Sequence, residues 1–183
     1  MSSLKSTYKK ILSDYPGNNP TFLKCIIASY LNPSFSVLFS YRVGCYLYHS
    51  KNRFFRILAS RKRMKLIFKK NCDISFSSSI GNKLRLAHPI GVVIGANVII
   101  GNNVTLFQNV TLGRSGKEGK DKSYPIIEDN SIIYADSIIF GGVRIGENSV
   151  IGAKTLVNID VPPNSLAVGI PCKIFKRKNE KFS

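Results

Sequence analysis

Histidine is scarce in this chain. Of 183 residues only His49 and His88 carry an imidazole, which excludes a metal centre built on three histidines. The four cysteines, Cys25, Cys45, Cys72 and Cys172, show no CxxC spacing, so neither a zinc knuckle nor a disulfide framework is expected and reduced thiols are the simplest reading. No metal is expected. Long apolar runs are lacking too. Met1 to Asp14 is polar and lysine-bearing, so no secretory leader is expected there. The least charged stretch, Cys25 to Tyr41, contains Asn32 and Pro33 and falls short of a membrane span. These absences point to a cytoplasmic protein, soluble or peripheral at the inner face of the membrane. Acidic residues are few, 10 against 27 lysines and arginines, for a net charge of +17. That imbalance implies attraction to something anionic.

What is present is a metre of six. An aliphatic residue recurs at Ile94, Ile100, Leu106 and Leu112, then at Ile127, Ile133, Ile139, Ile145, Ile151 and Val157. Four residues after most beats stands a small or β-branched residue, among them Val98, Val104, Val110, Ser131, Ser137, Val143, Ser149, Thr155 and Val161. Neither the helical period nor the strand period gives this spacing. It is the signature of a parallel β-helix, each hexad forming one short strand and a turn, with stacked coils burying the beats. Gly95, Gly101, Gly113, Gly146 and Gly152 follow beats, where a tight corner tolerates little side chain. A β-sandwich with chance spacing is the alternative, but its strands alternate at period two with irregular gaps.

The metre divides the chain. Residues 1–70 lack it and read as helices, broken at Pro16-Gly17-Asn18-Asn19-Pro20. Asn32-Pro33-Ser34 opens a helix to about His49, and a second spans Asn52 to Lys69. Both are placed to cap the first coil. Coils run over 71–174, beginning with Ile74 and Ile80 and bending irregularly at Ala87-His88-Pro89. A polar excursion over 113–125 interrupts them, and such departures from a regular coil carry binding function. Asp160 to Ser165 ends the coil, Gly169 to Lys173 is an extended exit, and 175–183 is a basic tail. Residues 51–70 mix nine basic residues, from Lys51 to Lys70, with Phe54, Phe55, Ile57, Leu58, Met64, Leu66, Ile67 and Phe68. That composition suits a basic amphipathic helix at a bilayer surface, or one whose apolar side packs on the coils or on a partner. No nucleic-acid module motif is present, so nucleic acid is not expected as a partner.

His49, at a helix end, reads as a cap or surface residue. His88 stands at an irregular corner in the coil that follows Asp73. A carboxylate beside one imidazole nitrogen fixes the tautomer and leaves the other nitrogen free to take a proton. Asp73 and His88 are therefore a candidate catalytic dyad, with a satisfied surface histidine as the plainer reading. Cys72 reads as a buried thiol, since no second histidine is placed to activate it.

The run Asp73-Ile74, the corner Leu86 to Gly95, the segment Val104 to Gly113 and the exit Gly169-Ile170-Pro171-Cys172-Lys173 resemble the serine acetyltransferase family of hexapeptide acyltransferases. The likeness is dense from Asp73 to Ile174. Leu31-Asn32-Pro33 and Tyr41-Arg42 look like the shorter helical region of its capsule and exopolysaccharide relatives. The resemblance implies a mainly β fold, a left-handed parallel β-helix with an N-terminal helical region, an acetyl-CoA donor, and homotrimers or dimers of trimers with sites between neighbouring coils. It implies His88 as general base and Asp73 as its partner. It places coenzyme A along small residues, Gly113, Ala135, Gly141 and Gly142, with Lys154 and Lys173 toward its phosphates; Arg114 and Lys117 are looser alternatives.

Two positions depart from that pattern. Serine acetyltransferases carry an aspartate where this chain has Ala87, and a histidine where it has Tyr124. These departures lead to an expected saccharide acceptor, a hydroxyl of a surface polysaccharide or its precursor, contacted by Tyr124, Asp121 and Lys122. A serine O-acetyltransferase is the alternative. A non-catalytic β-helix that binds a membrane or a polyanion is the second, and the Asp73 and His88 pair argues against it.

Overall fold

The computed structural model describes residues 3–116 and 124–177. Four helices come first: α1 (Leu4–Ser13), α2 (Phe22–Leu31), α3 (Pro33–Tyr48) and α4 (Arg53–Lys70). Each begins where the sequence supplies a capping oxygen. Ser3, Thr21, Asn32 and Asn52 accept from the backbone N–H of Ser6, Lys24, Phe35 and Phe54, which satisfies donors that have no partner inside the helix. Pro33 sits in the first turn of α3, where its missing N–H costs nothing. Asn71, at φ 50°, ends α4 in the left-handed conformation.

The coils follow. The first holds β1 (Asp73–Ile74), β2 (Ser79–Ile80) and β3 (Arg85–Leu86), and the second β4 (Val93–Ile94), β5 (Ile99–Ile100) and β6 (Thr105–Leu106). The third holds β7 (Thr111–Gly113), β8 (Ile126–Ile127) and β9 (Ile132–Ile133), and the fourth β10 (Ile138–Phe140), β11 (Arg144–Ile145) and β12 (Val150–Ile151). Then come β13 (Leu156–Val157), β14 (Ser165–Val168) and β15 (Lys173–Lys176). Up to β13 every third strand stacks in parallel and β14 then stacks on β12, giving a prism with three faces: β1-β4-β7-β10-β13, β2-β5-β8-β11, and β3-β6-β9-β12-β14 with β15 at its edge. This is the β-helix that the metre predicts. All ten beats from Ile94 to Val157 are at most 2% exposed and form one core. Burying a large aliphatic side chain contributes about 1.5–3 kcal/mol, so the stack is held mainly by this column. The serines four residues after beats are buried with partners. Ser131, Ser137 and Ser149 donate to the carbonyls of Gly146, Gly152 and Pro162.

The turns rest on a residue three places after the beat. Asn97, Asn103, Asn109, Asn130, Asp136, Asn148 and Lys154 all have φ between 55° and 60°, a conformation that Asn and Asp adopt more readily than other side chains. Gly95, Gly101, Gly146 and Gly152, directly after beats, serve close approach instead, whereas a Cβ on Gly113 would meet nothing within 4 Å. A Cβ on Gly101 would lie 2.2 Å from Asp129 Oδ1 and 2.9 Å from the Asp129 backbone nitrogen. Side chains of the left-handed residues bond up the stack, Asn103 Nδ2 donating to Asn130 Oδ1 at 2.9 Å and Asn109 Nδ2 to Asp136 Oδ1 at 2.8 Å. Asn130→Ala is expected to lower stability by ~1 kcal/mol, with Asn130→Gly affected less, read as the shift in urea midpoint.

The helices cover the open edge of the first coil. Ile80 O has no preceding strand to bond; it accepts from Lys10 Nζ and Arg42 Nη1, both at 2.8 Å. Arg42 Nη2 reaches Gly81 O and Tyr41 Oη reaches Ser78 O. Val37, Leu38, Tyr41, Ala59 and Leu66 join the coil core, and α3 rides so close that a Cβ on Gly44 would meet the Phe76 ring at 2.2 Å. The far end differs from the sequence expectation. Gly169 to Cys172 is a turn, not an extended exit, and it folds β15 back antiparallel on β14. Pairing there covers an edge that would otherwise stay open. Phe175 and Lys176, assigned to a tail, belong to β15, and residues beyond 177 lie outside the described ones. Among the described residues no helix is long and apolar enough to cross a membrane.

Candidate active site

His88 stands in a bulge that the local sequence forces. Elsewhere the third-to-first turn takes its left-handed residue three places after the beat; after Leu86 that place is Pro89, whose ring fixes φ near −65°. The chain runs on, Gly91 supplies the positive φ of 67°, and the next buried beat is Ile94. Asp73 therefore pairs with Val93, twenty residues on, whereas Val93 pairs with Thr111 after eighteen. The extra length pushes His88 outward, and it is exposed.

The segment before β1 lies beneath this bulge. Gly91 N–H donates to Asn71 O at 2.8 Å, and Cys72 Sγ donates to Pro89 O at 3.2 Å. Burial pushes the Cys72 thiol up, in keeping with a structural and unreactive group. Asp73 thus flanks the His88 corner, but its bonds go elsewhere. Arg63 of α4 donates through Nε and Nη2, at 3.1 and 2.9 Å, both to Asp73 Oδ1. No hydrogen bond joins Asp73 to His88, and Asp73 Oδ2 has no partner among the described residues. The sequence reading missed Arg63.

Stacking sorts the other candidates onto two edges of the prism. Leu86 pairs with Leu106 and Leu106 with Ile133, so His88, Gln108 and Ala135 occupy successive rungs of one edge. Ala153 takes the next rung, since Ile133 pairs with Ile151, and Lys154 follows it, its N–H donating to Ala135 O at 2.9 Å. Val168, paired with Lys173, would contact a Cβ added to Gly152, bringing Lys173 to the same end. Beside these rungs run aromatic rings, His88 at 6.3 Å from Phe107 and Phe107 stacked at 4.8 Å on Tyr134. Gln108 Oε1 is buried and is the one such side-chain atom without a partner among the described residues. The beat-plus-two rule that locates His88 could have found it.

Gly113 and Gly141 lie on another edge, joined by Gly141 N–H to Gly113 O at 3.0 Å, with Gly142 next in chain. Tyr124 packs near Gly95, and no described contact joins it to His88. Asp121, Lys122 and Lys117 lie outside the described residues. A cleft of about 590 Å³ opens beside the bulge, lined among others by Tyr15, Asn32, Ser34, Arg85 and Ala87. Among the described residues no cluster of His, Cys, Asp and Glu could hold a metal.

A family model described as the hexapeptide repeat of succinyl-transferase matches residues 87–108 and 125–157. A serine acetyltransferase of Bacillus subtilis (strain 168) is 38% identical over 144 residues, covering 79% of this chain and 64% of that protein. One from Buchnera aphidicola is 35% identical over 157 residues, covering 83% and 59%. The solved structure of the soybean serine acetyltransferase apoenzyme superposes with a TM-score of 0.80 at 32% identity, over 95% of this chain and 71% of its own. The chain belongs to the serine acetyltransferase family of hexapeptide-repeat acyltransferases. Its β-helix is the left-handed form expected for that family.

Membership corrects the acceptor. The polysaccharide reading, with its capsule and exopolysaccharide character, rested on Ala87 and Tyr124, and the serine acetyltransferases that match most of this chain overturn it. Two substituted side chains leave the backbone path intact, whereas the soybean likeness takes in 95% of the chain. The chain spans 59% and 64% of the length of the two curated relatives.

Proposed function

We propose that this protein is a cytoplasmic, homotrimeric O-acetyltransferase that moves an acetyl group from acetyl-CoA to the hydroxyl of serine. The observation that carries this reading is the likeness to soybean serine acetyltransferase across helices and coils. His88 takes the proton of the serine hydroxyl as its oxygen attacks the thioester carbonyl. The tetrahedral intermediate collapses, the C–S bond breaks, and the proton passes from His88 to the departing sulfur, giving O-acetylserine and free coenzyme A. Asp73 steadies the imidazolium through Oδ2, while Arg63 holds Oδ1 and so fixes the carboxylate.

Acetyl-CoA would lie along the His88 edge, with Ala135 offering little side chain and Lys154 and Lys173 meeting phosphates. Gly113, Gly141, Gly142 and Tyr124 would come from the facing edge of a neighbouring subunit. Outward-facing Val93 and Ile138 on the first face, with Ile90 at the bulge, support such packing. Asp121 and Lys122, neighbours in the sequence, would offer an acid and a base to an amino acid bearing both charges. The test is release of coenzyme A thiol from acetyl-CoA by the purified full chain with free serine. Serine-dependent release with O-acetylserine as product is expected. Folded trimer that turns over no donor with serine overturns the proposal.

A further inference from the structure

The outer side of α4 has no role in the chemistry above. Ala59 and Leu66 are its buried residues, packed into the core. At 100° per residue, Phe54, Ile57, Arg61, Met64 and Phe68 fall three and four places apart on the opposite side. The four apolar members are 61%, 51%, 49% and 74% exposed. They form a stripe roughly 21 Å long. A soluble helix ordinarily turns one apolar side inward; this one has a second, facing solvent.

Charge selects what covers it. α4 contains eight lysines and arginines and no acidic residue. Arg53 and Lys65 flank the stripe, with Arg56 and Lys69 further round. None of these four, nor Arg61, pairs with a carboxylate among the described residues. A second copy of α4 would bring eight more positive charges against the first eight. An anionic bilayer offers hydrocarbon to the phenylalanines and negative headgroups to the flanking cations, and Arg61 can lay its stem along the stripe with its guanidinium in the headgroup layer.

We infer that the outer face of α4 binds the surface of anionic lipid bilayers, with Phe54, Ile57, Met64 and Phe68 entering the headgroup boundary. The helix lies on the membrane and does not span it. The inference stands apart from the acetyl-transfer reading, since it uses neither His88 nor Asp73 in its test.

The full chain is sedimented with vesicles of phosphatidylglycerol and phosphatidylcholine, and with vesicles of phosphatidylcholine alone. Binding to the first, weakened by high salt, and little to the second is expected. Phe54→Glu/Phe68→Glu should lower the partition coefficient more than about tenfold with unchanged circular dichroism. The chain has no tryptophan, so Phe68→Trp supplies a single reporter whose emission should shift to the blue on anionic vesicles. Undiminished binding by the double variant overturns the inference. So does an emission that does not shift, or a smaller assembly for the double variant by light scattering, which would make the stripe a contact between copies. Binding to duplex RNA but not to vesicles overturns it as well.

Discussion

His88→Ala is expected to lower the rate of acetyl transfer by about 10²- to 10⁴-fold, the range a positioned general base supplies, with the fold unchanged. The fold should survive because His88 is exposed, makes no side-chain hydrogen bond among the described residues, and meets Phe107 only at a ring distance of 6.3 Å. Donor turnover and the thermal melting curve, read on one preparation, separate the two effects. A variant that keeps full activity would remove His88 from the chemistry. One that melts early would make the bulge a structural feature.

Arg42→Ala should cost about 3–5 kcal/mol of stability, as expected when one partner of a buried ion pair is removed. Arg42 and Asp14 side chains are 3% and 1% exposed and meet at 2.8 Å. The same guanidinium holds Ile80 O and Gly81 O, so the substitution strips a buried carboxylate of its counter-charge and leaves Gly81 O unmet, while Lys10 still donates to Ile80 O. Burial pushes the Asp14 carboxyl up, against the pull of Arg42. A raised carboxyl pKa means that the folded state holds its proton longer than the unfolded chain does. Stability is then lost as pH rises through the folded value. The Arg42→Ala defect should therefore be smaller at acid pH and grow toward neutrality. Urea midpoints across that range measure it.

Much of this architecture could be read because its cause is periodic. A beat every six residues has one compact solution, and the ten beats enter the core as that solution requires. The helix starts were readable for a local reason: Asn32-Pro33 and Asn52 carry capping chemistry. The left-handed turn residues were equally visible, three after seven of the ten beats, but attention fell on the glycines, most of which serve close approach. Pro89 and Gly91 already contain the bulge at His88. The Arg63 to Asp73 pair was not readable, because it depends on how α4 meets β1, and no local preference fixes that angle. The acceptor was misread from Ala87 and Tyr124, two side chains weighed against a scaffold. The solvent-facing stripe of α4 needed the buried face to be known first.

The stack also sets how this chain can change length. Each rung advances about 4.8 Å, so His88, Gln108, Ala135 and Ala153, with Lys154 beside it, mark a ruler whose divisions are whole coils. An insertion of one residue inside a strand would swing every later side chain from core to solvent, while an insertion at a corner leaves both neighbours in register. The chain has used that freedom between Leu112 and Ile127, where Thr111 and Ile138 still pair across twenty-seven residues. The spacing between the base proposed at one rung and the cations proposed for the donor three rungs on is thus protected from most insertions and deletions. Loops can diversify around a distance between rungs that stays constant.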